Sequence, residues 1–114
     1  MSDKQIFDNV EIREIVDAIL SAVQVLEIYI FGSFATGMAT ADSDFDFYVV
    51  IPDDSIRARE ATWKIRECLI GKQKRGLDML VGTKSKFNKF KDTYSIENEV
   101  LQTGVKLYGY NGDY

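Results

Sequence analysis

GSFATGMATADSDFDFYVVI, residues 32–51, decides how the rest of the chain is read. A polar turn opens on Gly32 and Ser33, and two aspartates, Asp44 and Asp46, then enter a run that otherwise reads as a buried strand. Aspartate is depleted in strands, and burying an unpaired carboxylate costs several kcal/mol. The two acids therefore need a reason to be there.

Three motifs compete for the stretch. Gly32-x-x-x-x-Gly37 matches the front of a phosphate-binding P-loop, but Met38 and Ala39 stand where Lys and Ser/Thr are required, and the match fails. Asp42, Asp44 and Asp46 occupy the first, third and fifth positions of an EF-hand loop. Phe47 then replaces the glycine of the sharp turn, Asp53 stands where the terminal glutamate belongs, and the segment runs on into VVI. The third reading is a metal site on a strand. Alternate strand residues share a face, which puts Asp44 and Asp46 roughly 6.5–7 Å apart, close enough to grip two cations about 3.5–4 Å apart. Phe45, Phe47, Val49 and Ile51 then pack on the opposite face. A third carboxylate completes such a cage, with Asp53, Asp54, Glu67, Asp78 and Asp92 as candidates. Asp78 stands out as an acid inside an apolar strand pattern, LDMLV.

Outward from this stretch the pattern is that of a small α/β sheet. Ile12, Ile15, Val16, Ile19, Leu20 and Val23 recur at three and four, predicting a helix over 9–25 with Asp8 or Asn9 as its cap. LEIYIF, 26–31, reads as a strand, and DFDFYVVI, 44–51, as a second. Asp53, Asp54 and Ser55 offer cap chemistry to a helix over 56–70 that Gly71 stops, with Trp63 read as core or core margin. A third strand over 77–82, a short basic helix over 84–91 capped by Thr83 or Ser85, a helix near 95–102 and a terminal strand VKLYGY follow, and NGDY reads as frayed. A helix between the second and third strands implies a crossover and a parallel pair. The expected class is therefore α/β (α+β), a small mixed sheet flanked by helices.

Composition narrows the chemistry. At 114 residues one domain over 1–114 is expected, with no room for a second lobe that selects a large substrate. Histidine is absent and Cys68 is the lone cysteine, which removes Ser-His-Asp and Cys-His catalysis and thiolate zinc sites, leaving oxygen ligands and a hard cation. The net charge of −4 argues against direct nucleic-acid binding, although Lys72, Lys74 and Arg75, and Lys84, Lys86, Lys89 and Lys91, form basic clusters that read as solvated faces. No run is long enough to span a membrane, so a cytoplasmic protein is expected.

Gly32-Ser33, ten residues, then Asp44-Phe45-Asp46 resembles the GS-x10-D-x-D signature of the DNA polymerase beta-type nucleotidyltransferases. The size, the layout and the close YSIENEVLQTGVKLYG are similar to the minimal nucleotidyltransferase (MNT) branch. The resemblance covers nearly the whole chain. It implies a polymerase beta-like nucleotidyltransferase fold, ATP as substrate and two Mg2+ ions held by Asp44, Asp46 and Asp78, with Asp78 also the base for an attacking hydroxyl. It implies triphosphate binding by Gly32 and Ser33, with Ser43 setting the turn before the strand. One departure is plain: relatives often read GSxARG, whereas Thr36 stands here in the arginine's place. MNT proteins often work beside a separate HEPN-domain protein (higher eukaryotes and prokaryotes nucleotide-binding), so the resemblance implies an antitoxin that adenylylates a HEPN toxin. The alternative keeps the fold and has the chain neutralise its partner by contact, with little or no catalysis.

Overall fold

The structure, a computed structural model, describes residues 3–72 and 75–109. In chain order these form α1 (Asp3–Asp8), α2 (Val10–Ala22), β1 (Glu27–Phe31), α3 (Ser33–Thr36) and β2 (Phe45–Ile51). Then come α4 (Ala58–Leu69), β3 (Leu77–Thr83), α5 (Lys84–Phe90), α6 (Ile96–Thr103) and β4 (Val105–Gly109). The four strands lie in the order β3-β2-β1-β4. β2 and β3 are parallel, as a crossover through α4 requires, and β1 runs antiparallel to both β2 and β4. The sheet is mixed, as expected. The readings for Tyr110 and NGDY, and for Lys74 within the first basic cluster, fall outside the described residues.

Helix ends follow local chemistry. The Asn9 side chain accepts the Ile12 N–H at 2.9 Å and starts α2, whose buried stripe is Ile12, Ile15, Ala18 and Ile19. Ser95 does the same for α6 through the Asn98 N–H at 3.1 Å. The short α1 has no periodic stripe to announce it; fully buried Ile6 holds it to the core. Asp53 departs from expectation. Its carboxylate takes the backbone N–H and hydroxyl of Ser85 and so serves α5, while α4 starts at Arg57 without a side-chain cap.

Both faces of β2 are covered, which makes it the central buried strand. Phe45, Phe47, Val49 and Ile51 meet α2 and α4 on one face, joined by Ile28, Ile30 and Ile65. Tyr48 and Val50 meet Tyr29, Phe31, Phe87 and Val100 on the other, under α5 and α6. Trp63 is neither core nor core margin: it is 64% exposed. Ala61, Ile65 and Leu69 take the inner face of α4, and a residue two positions from Ala61 points away from them.

Two acids are buried on the α5/α6 side, and both have partners. Glu27 contacts the Lys84 and Lys106 ammonium groups at 3.0 and 2.9 Å and accepts the Tyr29 hydroxyl at 3.0 Å. Glu97 accepts the Tyr48 hydroxyl at 2.8 Å, with Lys86 at 4.0 Å. Burial together with the Glu97 charge and hydrogen bond holds the Tyr48 hydroxyl far above its ordinary pKa, so it remains a donor. Gly82 makes room for that hydroxyl, since any Cβ there would overlap it.

Two outcomes follow for stability. Tyr48→Phe leaves Glu97 buried with only the more distant Lys86 and should cost about 1.5–3 kcal/mol in urea unfolding at pH 7. For Glu27, burial alone favours the neutral acid, but Lys106 and Lys84 override it and hold the carboxyl below its ordinary 4.5. A depressed carboxyl pKa gives stability that is complete above the ordinary value and lost as pH falls through the folded one. Wild type should therefore lose more stability than Glu27→Gln between pH 5 and pH 3, roughly, when melting curves are compared.

Candidate active site

The end of the sheet where β1 stops and β2 and β3 begin gathers the candidate residues. Asp46 lies opposite Asp78 in the parallel β2–β3 register, and opposite Phe31 in the antiparallel β1–β2 register. Asp46 and Asp78 thus project from the same face of neighbouring strands and share a hydrogen-bonding contact. Asp44 precedes the strand rather than belonging to it, because pairing with β3 begins where the Phe45 N–H meets the Gly76 carbonyl at 2.9 Å. It remains close enough to act electrostatically on Asp46.

Two glycines seat the aspartates. Gly32, with φ of 71°, follows β1 directly, and a Cβ on it would fall on the Asp46 carboxylate. Gly76 does the same for Asp44. The glycine expected to let phosphate approach the backbone therefore also lets Asp46 stand beside the turn. Gly76 escaped sequence reading because it closes the loop GKQKRG, where a glycine needs no further reason. The turn itself is tight: the Gly32 carbonyl accepts the Ala35 and Thr36 N–H groups, both at 3.1 Å. Ser33 is half-buried at the head of α3. Ser43 Oγ accepts the Thr40 N–H at 2.8 Å and so sets the turn before β2.

Of the other candidate acids, Asp53 is bound to α5 and Glu67 rides on α4 across the sheet. An acid that sequence reasoning missed joins the site instead. Glu99, on α6, lies near enough for its charge to act on Asp46. Its place in an ordinary helical pattern carried no signal. Burial first, and then the charges of Asp78, Asp44 and Glu99 with the Asp78 hydrogen bond, push the Asp46 carboxyl above its ordinary value.

The donor set suits a hard cation. It is all carboxylate oxygen, and burial together with the neighbouring acids disfavours the ionisation of Asp46. Among the described residues no three His, Cys, Asp or Glu side chains already stand in a metal-holding arrangement. The fit thus rests on ligand type and placement, with carboxylate rotations left to bring the oxygens together.

Part of the charge elsewhere is engaged. Lys84 and Lys86 pair with Glu27 and Glu97, so half of the second basic cluster is committed to the fold. Thr36, in the family's arginine position, turns its hydroxyl back to the Gly32 carbonyl at 3.3 Å. No helix among the described residues is long and apolar enough to cross a membrane.

Residues 11–103 match the family described as the nucleotidyltransferase domain. The chain belongs to that family. The match spans α2 to α6 and includes every candidate site residue, in agreement with the resemblance to the minimal nucleotidyltransferase branch. No curated protein matches. Among solved structures, this nucleotidyltransferase domain is similar to a chain of a toxin–antitoxin crystallised with AMP-PNP, at 20% identity and a TM-score of 0.66 over 92% of this chain and 77% of that one. It is similar to a chain of the MntA-HpeT toxin–antitoxin, at 18% identity and a TM-score of 0.63 over 89% and 75%. A third likeness is to a structure of a tri-AMPylated Shewanella oneidensis HEPN toxin with its MNT antitoxin, at 17% identity and a TM-score of 0.52 over 89% and 71%. At such identities the likeness is one of fold.

The raised Asp46 pKa has a consequence for the cation-free protein. A folded state that binds the proton more tightly than the unfolded chain loses stability as pH rises through the carboxyl range. Asp46→Asn removes that penalty and should raise the melting temperature of the metal-free protein at pH 7, by a few degrees, while a scan at pH 4 should show a smaller gain. An equal gain at both pH values would show that ionisation at residue 46 is not its source.

Proposed function

We propose that the chain transfers a nucleotidyl group, AMP from ATP, to a hydroxyl on a HEPN-domain partner, and so acts as the antitoxin of a toxin–antitoxin pair. The observation that carries this reading is the registered pair Asp46–Asp78, with Asp44 alongside and the Gly32–Ser33 turn directly after β1. The family match and the toxin–antitoxin setting of the similar folds support it.

The residues divide the work. The backbone N–H groups at the Gly32–Ser33 turn and the Ser33 hydroxyl bind the triphosphate, where the absence of a Cβ on Gly32 allows close approach. Asp44, Asp46 and Asp78 hold two magnesium ions, which when bound supply positive charge to the entering and leaving oxygens. Asp78 accepts the proton of the acceptor hydroxyl. That oxygen bonds to the α-phosphorus, the bond from the α-phosphorus to the bridging oxygen breaks, and pyrophosphate departs with the electron pair.

A second reading, neutralisation by contact, draws on Thr36. The side chain in the usual arginine position bonds to its own turn rather than reaching outward, which favours weak nucleotide binding.

Labelled ATP, magnesium and the protein encoded beside this one distinguish the two. The catalytic reading expects label on the partner, lost in Asp44→Ala and Asp46→Ala, and a higher melting temperature with magnesium and ATP, since ligand at 100 times its Kd adds about 2.7 kcal/mol. If no label moves and the doubly substituted chain still protects cells from the partner, contact suffices and the transfer reading is wrong.

A further inference from the structure

Arg75 has no role in the nucleotidyltransfer reading, and the basic cluster to which it belongs reads from sequence as a solvated face. The structure places it otherwise. Its guanidinium donates from one nitrogen toward the carbonyls of Thr40, Ala41 and Ser43, at 3.2, 3.0 and 2.7 Å. The same group lies over two aromatic rings, 5.1 Å from the Phe34 centroid and 5.6 Å from that of Phe45. Its own backbone N–H donates to the Glu11 carboxylate at 3.0 Å, which ties it to α2.

Each contact touches the machinery of the site. Phe34 is the second residue of α3, directly after Ser33, and Phe45 separates Asp44 from Asp46. Residues 40–43 form the turn that delivers Asp44, and Gly76, the next residue after Arg75, provides the space for the Asp44 carboxylate and the first pairing bond to Phe45. A planar cation stacked on both rings and bonded to the intervening carbonyls fixes the distance between the phosphate turn and the carboxylates. We infer that Arg75 is a positioning residue that clamps the 40–43 turn, and through it sets Asp44 and the Gly32–Ser33 turn in register for one nucleotide. One guanidinium nitrogen of Arg75 is committed to the three carbonyls, a role distinct from the phosphate contact that the family assigns to the arginine missing at Thr36.

The clamp itself is independent of the transfer reading, while its effect on nucleotide rests on that reading, so two measurements separate them. Hydrogen exchange in the nucleotide-free chain reads the clamp. In Arg75→Met the amides of Thr40, Asp42 and Ser43, which bond within the turn, should exchange at least about tenfold faster, while those of Tyr48 and Val50 in the sheet centre should not change. Arg75→Lys keeps the charge without the planar stack and should restore protection only in part. Exchange of the turn amides at the wild-type rate in Arg75→Met overturns the clamp. Calorimetry with magnesium and ATP then reads the consequence: binding should weaken about tenfold or more in Arg75→Met, because a turn no longer held in the binding geometry must be ordered when the nucleotide binds. Unchanged affinity beside a lower melting temperature would make Arg75 structural only and overturn its positioning role. No binding by wild type would overturn the nucleotide half along with the transfer reading, and leave exchange to decide the clamp.

Discussion

Two carboxylates placed opposite one another in a parallel pair of strands are an arrangement that a fold does not adopt for its own stability. Like charges directly across a ladder repel, and here Asp46 is partly withdrawn from water as well. The remainder of the sheet end is arranged around that cost. Gly32 and Gly76 withhold their side chains where the carboxylates stand, and β2 starts its pairing at Phe45 so that Asp44 is left outside the ladder. Below them, Phe45 and Phe47 lie fully buried against α2 and α4, and this core face keeps β2 from slipping: a shift of one residue would turn the aspartates into the core.

The contrast on the α5/α6 face is informative. Its acids fall into two groups. Glu27 and Glu97 are the more deeply buried, and each has a tyrosine partner and at least one lysine partner from another strand or helix. Asp44, Asp46 and Asp78 sit nearer solvent and form no ion pair with lysine or arginine among the described residues. A chain that neutralises the deeper acids with its own cations, and leaves the shallower three to repel one another, has the electrostatics of a site that receives its positive charge from outside. The same lysines give the basic stretch after β3 a part in the fold: Lys84 and Lys86 reach toward the two buried glutamates.

Much of this was legible in the residues, and what was not has particular causes. Strand alternation put Asp44 and Asp46 on one face, Asp78 stood out as an acid in a later strand, and a helix between two strands implied that those strands pair in parallel. Tyr48 is buried, as expected of a core or core-margin residue, but alternation does not show that α5 and α6 pack over it and over Val50. Asp53 was read as a cap for the helix next in sequence, but the backbone N–H it satisfies belongs to a helix 32 positions further on. Trp63 was assigned inward by its size, whereas helical phase turns it out. Glu99, Gly76 and Arg75 share one cause. Each reaches the site through tertiary approach, and nothing in its immediate neighbours distinguishes it from an ordinary helix, loop or surface residue.

The position of Thr36 bears on how such a site manages a triphosphate. A nucleotide with several negative charges meets Asp44, Asp46, Asp78 and Glu99 at close quarters, and at 4 Å a single like-charge pair costs on the order of 4 kcal/mol near a protein surface. The family's usual arginine would offset part of this from the turn. Here the turn offers a threonine bonded to the turn's own carbonyl, and Arg75 is held by the 40–43 carbonyls beside two phenylalanine rings. The backbone N–H groups of one short turn do not balance four carboxylates. On the proposed transfer reading, attraction for the nucleotide would then come mainly from the cations it brings with it, and the charge that the sequence lacks at position 36 would shift control of binding from the turn to the carboxylates.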